Sequence, residues 1–375
     1  MKKYLSAAII FCVWTQSAAA ETYAQFKQKM QNDYGFAYSL DISYMGQRGA
    51  PNGRKNSVQT VIDPSFVWTN FDNEYGVGSL NFSYNIVRYG GISANHLANN
   101  IGVVTPINDY TTSSNTFEAL YYQYRLGGKM KWLTLGLGQY QISNFDGNAY
   151  ANDQQVNFLN YALSQNASAS YAVAGVGAFA QMQLNPEWQA AFGATDATNT
   201  NGISVRLNSL KDKHFATFGF LQYSPTLQGL GKGQYAILLY NQPGVKGQRQ
   251  TTNGWSFSFS QNVSEKWAIF GRVNGVSGSV ESLRQSWAGG VVCNNPLERN
   301  ELDQIGLAAA YNKISTAGAG SKIYHDAETV LEGYYAFGAG SYATITPDVQ
   351  FYINPAGNAK SDYDTVFSLR LSLFF

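Results

Sequence analysis

The sequence runs to 375 residues, 45% hydrophobic, 15% aromatic and only 13% charged, with 37 glycines and a net charge of +1. Ordinary soluble domains carry about 25% charged residues, so the composition argues against a soluble globule. No apolar run of about 18 residues follows the N-terminal region, which excludes a helical membrane bundle. The near-neutral balance also argues against nucleic acid or an anionic surface as a partner. A membrane β-barrel satisfies these facts together, because only alternate residues of its strands face lipid.

Met1 is followed by Lys2 and Lys3, an apolar run from Tyr4 to Trp14, and the small residues Ser17-Ala18-Ala19-Ala20. This is the pattern of a secretory signal, residues 1–20, cleaved before Glu21, and its apolar core is too short for a membrane anchor. Loss of Lys2 and Lys3 leaves 23 basic against 24 acidic residues. Cys12 departs with the leader and Cys293 is then alone, so neither an intramolecular disulfide nor a Cys-rich metal site is expected. Residues 21–35 predict a short helical segment, with Phe26 and Met30 on one side, that tethers the N-terminus on the periplasmic side.

From residue 36 onward strict alternation dominates. Phe36, Tyr38, Leu40, Ile42 and Tyr44 alternate with small or polar residues, as do Leu80, Phe82, Tyr84 and Ile86, and Trp255, Phe257 and Phe259. Period two means strands. The polar face carries Ser, Asn, Gln and scattered Arg instead of Lys and Glu, which reads as the wall of a wet lumen.

Short turns are expected at 70–76, 127–130, 184–187, 225–232, 262–266, 293–301 and 338–342. Longer connections fall at 45–57, 89–116, 140–170, 195–213, 241–253, 276–279, 313–327 and 354–363. These divide residues 36–375 into an antiparallel, membrane-spanning all-β barrel of sixteen strands, at about 22 residues for each strand with its connection. The strands at 58–69, 171–183 and 188–194 carry the weakest pattern, and Pro64 sits badly in the first. In the last strand Phe367, Leu369, Leu371, Leu373 and Phe375 share one face, with Ser368, Arg370 and Ser372 on the other. A barrel closes by pairing its first and last strands, and such a strand ending in Phe is similar to the terminal signature that the outer-membrane barrel-assembly machinery reads.

Catalytic constellations are not found. Only His96, His214 and His325 are present, without a G-x-S-x-G elbow. Asp146, Asn148 and Asp153 lack the spacing and closing Glu of a calcium loop. No enzyme activity, metal or cofactor is expected. The chemistry is assigned to the lumen, where Arg125, Arg272, Arg284, Arg370, Glu332, Asp348 and Gln350 fall on the polar parity. Tyr121 and Tyr352 are candidates to stack on a sugar face. Arg88 shares the outward parity of Phe82 and Tyr84. The long loop 140–170 is apolar enough to pack, and is expected to fold into the pore.

Several segments resemble the carbohydrate-selective porins of the OprB type. They include Leu120-Tyr121-Tyr122-Gln123, Leu133-Thr134-Leu135-Gly136-Leu137-Gly138, Phe158-Leu159-Asn160-Tyr161-Ala162-Leu163 and Trp267-Ala268-Ile269-Phe270-Gly271-Arg272. The most specific are Glu328-Thr329-Val330-Leu331-Glu332-Gly333-Tyr334-Tyr335 and Ile345-Thr346-Pro347-Asp348-Val349-Gln350-Phe351. The resemblance implies an outer-membrane porin of Gram-negative cells that passes small neutral sugars or polyols by diffusion. The partners expected are neutral carbohydrates, outer-membrane lipid and lipopolysaccharide, and the assembly machinery at the strand ending in Phe375. Ala119 and Gln123 stand where the family pattern leads one to expect acids. The alternatives are a general small-solute porin and a barrel hydrolase.

Overall fold

The computed structural model describes residues 16–278, 281–318 and 322–375; most of the expected leader, residues 1–20, lies outside the described residues. Helix α1 (Gln16–Tyr34) leads directly into the sheet. Gly35 makes that join at φ +65°, where a Cβ would stand 2.2 Å from the Thr69 carbonyl oxygen. Only glycine fits there without strain.

The strands are β1 (Phe36–Ala50), β2 (Ser57–Asn73), β3 (Gly76–Gly91), β4 (Ser114–Leu126), β5 (Leu133–Tyr140), β6 (Gly175–Gln183), β7 (Trp188–Asp196) and β8 (Phe215–Tyr223). They continue with β10 (Gly231–Gln242), β11 (Thr252–Asn262), β12 (Trp267–Val276), β13 (Leu283–Asn294), β14 (Gln304–Ile314), β15 (Ala327–Gly338), β16 (Ala343–Ile353) and β17 (Tyr363–Phe374). A two-residue piece, β9 (Thr226–Leu227), extends β8 past a break and pairs with the start of β10. Each long strand pairs antiparallel with the next, and β1 pairs with β17 from Asp41↔Phe374 to Ala50↔Thr365. The sheet is thus a closed barrel of sixteen long strands with no free edge.

The barrel is inside out relative to a soluble protein. On β17, Leu369 is 57% exposed and Arg370 beside it 1%. Apolar side chains face outward, where lipid and not water is the solvent.

Three of the weaker strand readings meet the structure at their ends. Pro64 lies inside β2 and pairs with Leu40, while the ladder to β3 skips Asp63 and Pro64 without changing register. Proline removes one donor there, and the continuous pairing on either side holds the strand. The reading of a strand from residue 171 is corrected: β6 begins at Gly175, because 171–174 belong to the preceding loop. The third, β7, runs two residues beyond the expected 194.

Two long loops turn inward. The loop after β3 carries α2 (Ala94–Ile101), and the loop after β5 carries the single turn α3 (Tyr161–Ser164). Leu97, Ile101 and Ile107 of the first and Phe158 and Leu163 of the second bury completely against Val292, Ala310, Val330, Tyr352 and Val366 of the wall. Full burial of a side chain of this size contributes about 1.5–3 kcal/mol. One side of the lumen, along β12–β17, is therefore a dry core. A second cluster, Phe145 with Phe179, Phe218, Phe220 and Tyr140, pins the start of the loop after β5 against β6–β10.

Candidate functional site

A loop buried in a barrel brings backbone groups that need partners, and the wall supplies charged ones. The Glu332 carboxylate accepts from the backbone N–H of Leu159 at 2.5 Å and of Asn160 at 2.9 Å. Arg370 donates to the carbonyl oxygens of Gln154, Val156 and Asn157, the last at 2.9 Å. Arg272 donates to the Asp146 carbonyl at 2.7 Å, and its Nε stands 4.0 Å from the Asp146 carboxylate. Glu328, two pleat repeats from Glu332 on the same face of β15, accepts from the N–H groups of Val104, Thr105 and Ala356. Gln350 donates to the Ile107 carbonyl at 2.9 Å, and Tyr352 donates to Gln350 while accepting from Asn160 at 2.7 Å. Asp348 lies diagonal to both Glu332 and Arg370 in the register of β15–β17.

These placements change what the lumen residues do. Arg272, Glu332, Gln350 and Arg370 face inward, as their parity predicts, and each is hydrogen-bonded to folded loop. A charge inside a barrel binds the nearest unpaired backbone groups, and here the loop provides them. Tyr352 is likewise fully buried, with no ring face free.

The inward reading of Arg284 is corrected. A bulge between Leu283 and Gln285 shifts the register against β14, so Leu283 takes the inward position and Arg284 is exposed. Alternation read through a bulge assigns the wrong face.

Tyr121 and Arg125 border the space left open. A cavity of about 260 Å³ beneath the loop is lined by Tyr121, Tyr140, Phe145, Phe179 and Phe220, with Asn144 and Gly147 and the amides of Gln123, Gln181, Gln189, Gln222 and Gln234. It contains no charged side chain. Gln123 and Gln181 also border a second cavity of about 470 Å³ near the short turns, where Arg125 and Lys131 stand. Two of these glutamines, Gln181 and Gln189, lie on β6 and β7, strands with the weakest pattern, and the others on β4, β8 and β10.

The wall of β1–β4 is acidic. Asp41 and Asp63 are direct cross-strand partners. Glu118 is the extra residue of a bulge in β4 and, with Asp63, accepts from the Ser83 hydroxyl, at 3.1 and 3.3 Å. The bulge places an acid beside Ala119, where the family pattern led one to expect it. Asp153 of the loop is close enough to repel Asp41 and Asp63. Burial pushes the loop carboxyl of Asp153 above its ordinary range, against a hydrogen bond from the Gln155 N–H. Among the described residues none of these four acids has an ion-pair partner.

A closed sixteen-strand barrel narrowed by its own loops, with polar cavities along one wall, is a porin, an integral outer-membrane channel rather than an enzyme. The chain belongs to the carbohydrate-selective porin family, OprB family, whose model matches residues 75–375. It is 37% identical to Porin AaxA of Chlamydia abortus over 83% of this chain and 69% of that protein. The identity to Porin AaxA of Chlamydia caviae is 37% over 84% and 70%. Among solved structures, the high-pH structure of Pseudomonas putida OprB aligns with a TM-score of 0.75 at 13% identity, covering 94% of this chain and 97% of that one. At that identity the likeness concerns the fold.

Proposed function

We propose that this porin passes small uncharged polyhydroxylated solutes, sugars among them, by diffusion. The observation that carries the reading is the uncharged cavity beneath the loop, where five glutamine amides stand among aromatic rings. An amide offers both donor and acceptor to a hydroxyl, and each such bond is worth about 1 kcal/mol net. Several together give an affinity near 1 mM, at about 4 kcal/mol. Binding of that strength lets a solute enter and leave. The loop 141–174 sets the constriction, residues 1–20 act as the export leader, and the β17 strand with Phe375 serves as the recognition element for barrel assembly.

The acidic wall favours a second reading, small organic cations. Four carboxylates on the β1–β4 wall and the loop facing it, without ion-pair partners among the described residues, attract positive solutes and repel negative ones. Liposome swelling with a hexose, an organic acid and an organic amine of matched size separates the cases. Neutral entry at least as fast as the amine, with the acid slowest, supports the sugar reading. Faster amine than hexose moves the assignment to cations, and equal rates for all three make this a general porin.

A further inference from the structure

The bulge that turns Arg284 out of the lumen also builds a site on the outer surface. We propose that the outward face of β13 and β14, at the end nearest the long loops, binds a phosphorylated glycolipid of the outer leaflet of the outer membrane.

Four observations carry this. The bulge leaves Arg284 exposed beside Gln285, which pairs with Lys313. The Lys313 ammonium lies 5.4 Å from the ring centroid of Trp287, whose ring is 5.7 Å from that of Tyr311. A cation held against an aromatic face keeps its position without needing a carboxylate, and among the described residues neither Arg284 nor Lys313 has an ion-pair partner. Directly below, the outward positions are Gly289 paired with Ala309, then Val291 paired with Leu307. A Cβ on Gly289 would meet nothing nearer than 3.4 Å, so a shallow trough flanked by exposed apolar side chains runs down from the two cations.

The chemistry of the occupant follows from this order. Two unpaired cations and an aromatic pair stand at the level where a barrel meets headgroups on its long-loop side, and the trough descends into the level of acyl chains. Arg and Lys at that height match phosphate, Arg through paired N–H donors. A lipid with phosphates on its sugar headgroup and several acyl chains satisfies both parts. Free phosphate satisfies only the first.

The test uses the whole protein, purified in detergent and stripped of lipid. Bound lipid is counted by native mass spectrometry, and stability is read as the temperature at which gel mobility shifts to that of the boiled form. Bisphosphorylated lipid A is expected to bind and to raise that temperature, whereas dephosphorylated lipid A and inorganic phosphate leave it unchanged. Combined Arg284→Gln and Lys313→Gln should weaken lipid binding by about tenfold or more, roughly 1.4 kcal/mol. Lys211→Gln with Lys213→Gln, which removes two cations from the loop before β8, should not. If the double substitution does not assemble, Lys313→Gln alone, which leaves the bulge in place, carries the comparison. Undiminished binding by the variant, equal binding of the dephosphorylated lipid, or a response to inorganic phosphate alone would each overturn the proposal.

Discussion

Replacing Glu332 with alanine tests whether the inward charges hold the loop or touch the solute. The carboxylate accepts from two backbone N–H groups of the loop, at Leu159 and Asn160. Hydrogen bonds to a charged acceptor contribute about 1.5–3 kcal/mol each, so the gross loss is roughly 3–6 kcal/mol. Part of this returns, because Asp348 stands diagonal to Glu332 and removing one of two neighbouring buried acids relieves their repulsion. A net loss of about 2–4 kcal/mol in loop anchoring is the expected result. The loop keeps its contacts to Arg272 and Arg370, so it loosens without leaving the barrel.

In planar bilayers Glu332→Ala should therefore give larger and noisier single-channel currents than the parent. Liposome swelling should show the trisaccharide-to-monosaccharide rate ratio rising. Glu332→Gln, which keeps one acceptor oxygen, should fall between. The reasoning fails if conductance and the size ratio stay at parental values while sugar affinity drops. That combination would make Glu332 a solute ligand and the loop a bystander.

Three further outcomes are expected. Asp63→Asn combined with Glu118→Gln should bring the cation-to-anion permeability ratio, read as a reversal potential across a salt gradient, close to one; an unchanged ratio would mean that the acidic wall is not on the ion path. Tyr121→Ala should slow hexose swelling several-fold with little effect on ionic conductance, whereas an equal fall in both would point to collapse of the cavity. Burial pushes Asp109 from 3.8 up to about 7, against hydrogen bonds from Ser164 and Gln165. The folded protein then binds that proton more tightly than the unfolded chain, so loop docking is strongest below about pH 4 and weakens as pH rises through about 7. Hydrogen exchange at residues 104–111 and 160–166 should accelerate over that window, and Asp109→Asn should flatten the dependence; the same slope in the variant would assign it to another group.

The barrel itself was legible because its signals are local. Period two fixes a strand, Asn, Gly and Pro clusters fix turns, and alternation of short with long connections fixes how many times the chain crosses. Those rules break at 171–174, which belong to the loop before β6, and wherever one residue is added to a strand. Arg284 was read as inward because parity was counted through Leu283 and Gln285, where the register shifts. Glu118, the acid bonded to Ser83, escapes the parity count for the same reason, since it is the extra residue opposite Ser83 and Tyr84. Neither bulge contains the Gly or Pro that would have marked it in the sequence.

The harder step was from facing inward to facing solute, and it depends on which wall the loops cover. Parity placed Arg272, Glu332, Gln350 and Arg370 inside, but the strands that carry them, β12 and β15–β17, are the ones against which Phe158, Leu163 and Ile101 bury. A buried loop brings unpaired N–H and C=O groups to that wall, and leaving each unsatisfied costs about 1–3 kcal/mol. Inward charges on the covered wall are therefore held by backbone before any solute arrives. The polar side chains left around open space lie on strands that this apolar cluster does not reach. In this chain those are the glutamines on β4, β6, β7, β8 and β10. On β12, β15 and β17, Arg272, Glu332 and Arg370 thus report the docking of the loop. The uncharged amides stand away from that covered wall, around the cavity that the proposed function assigns to the solute.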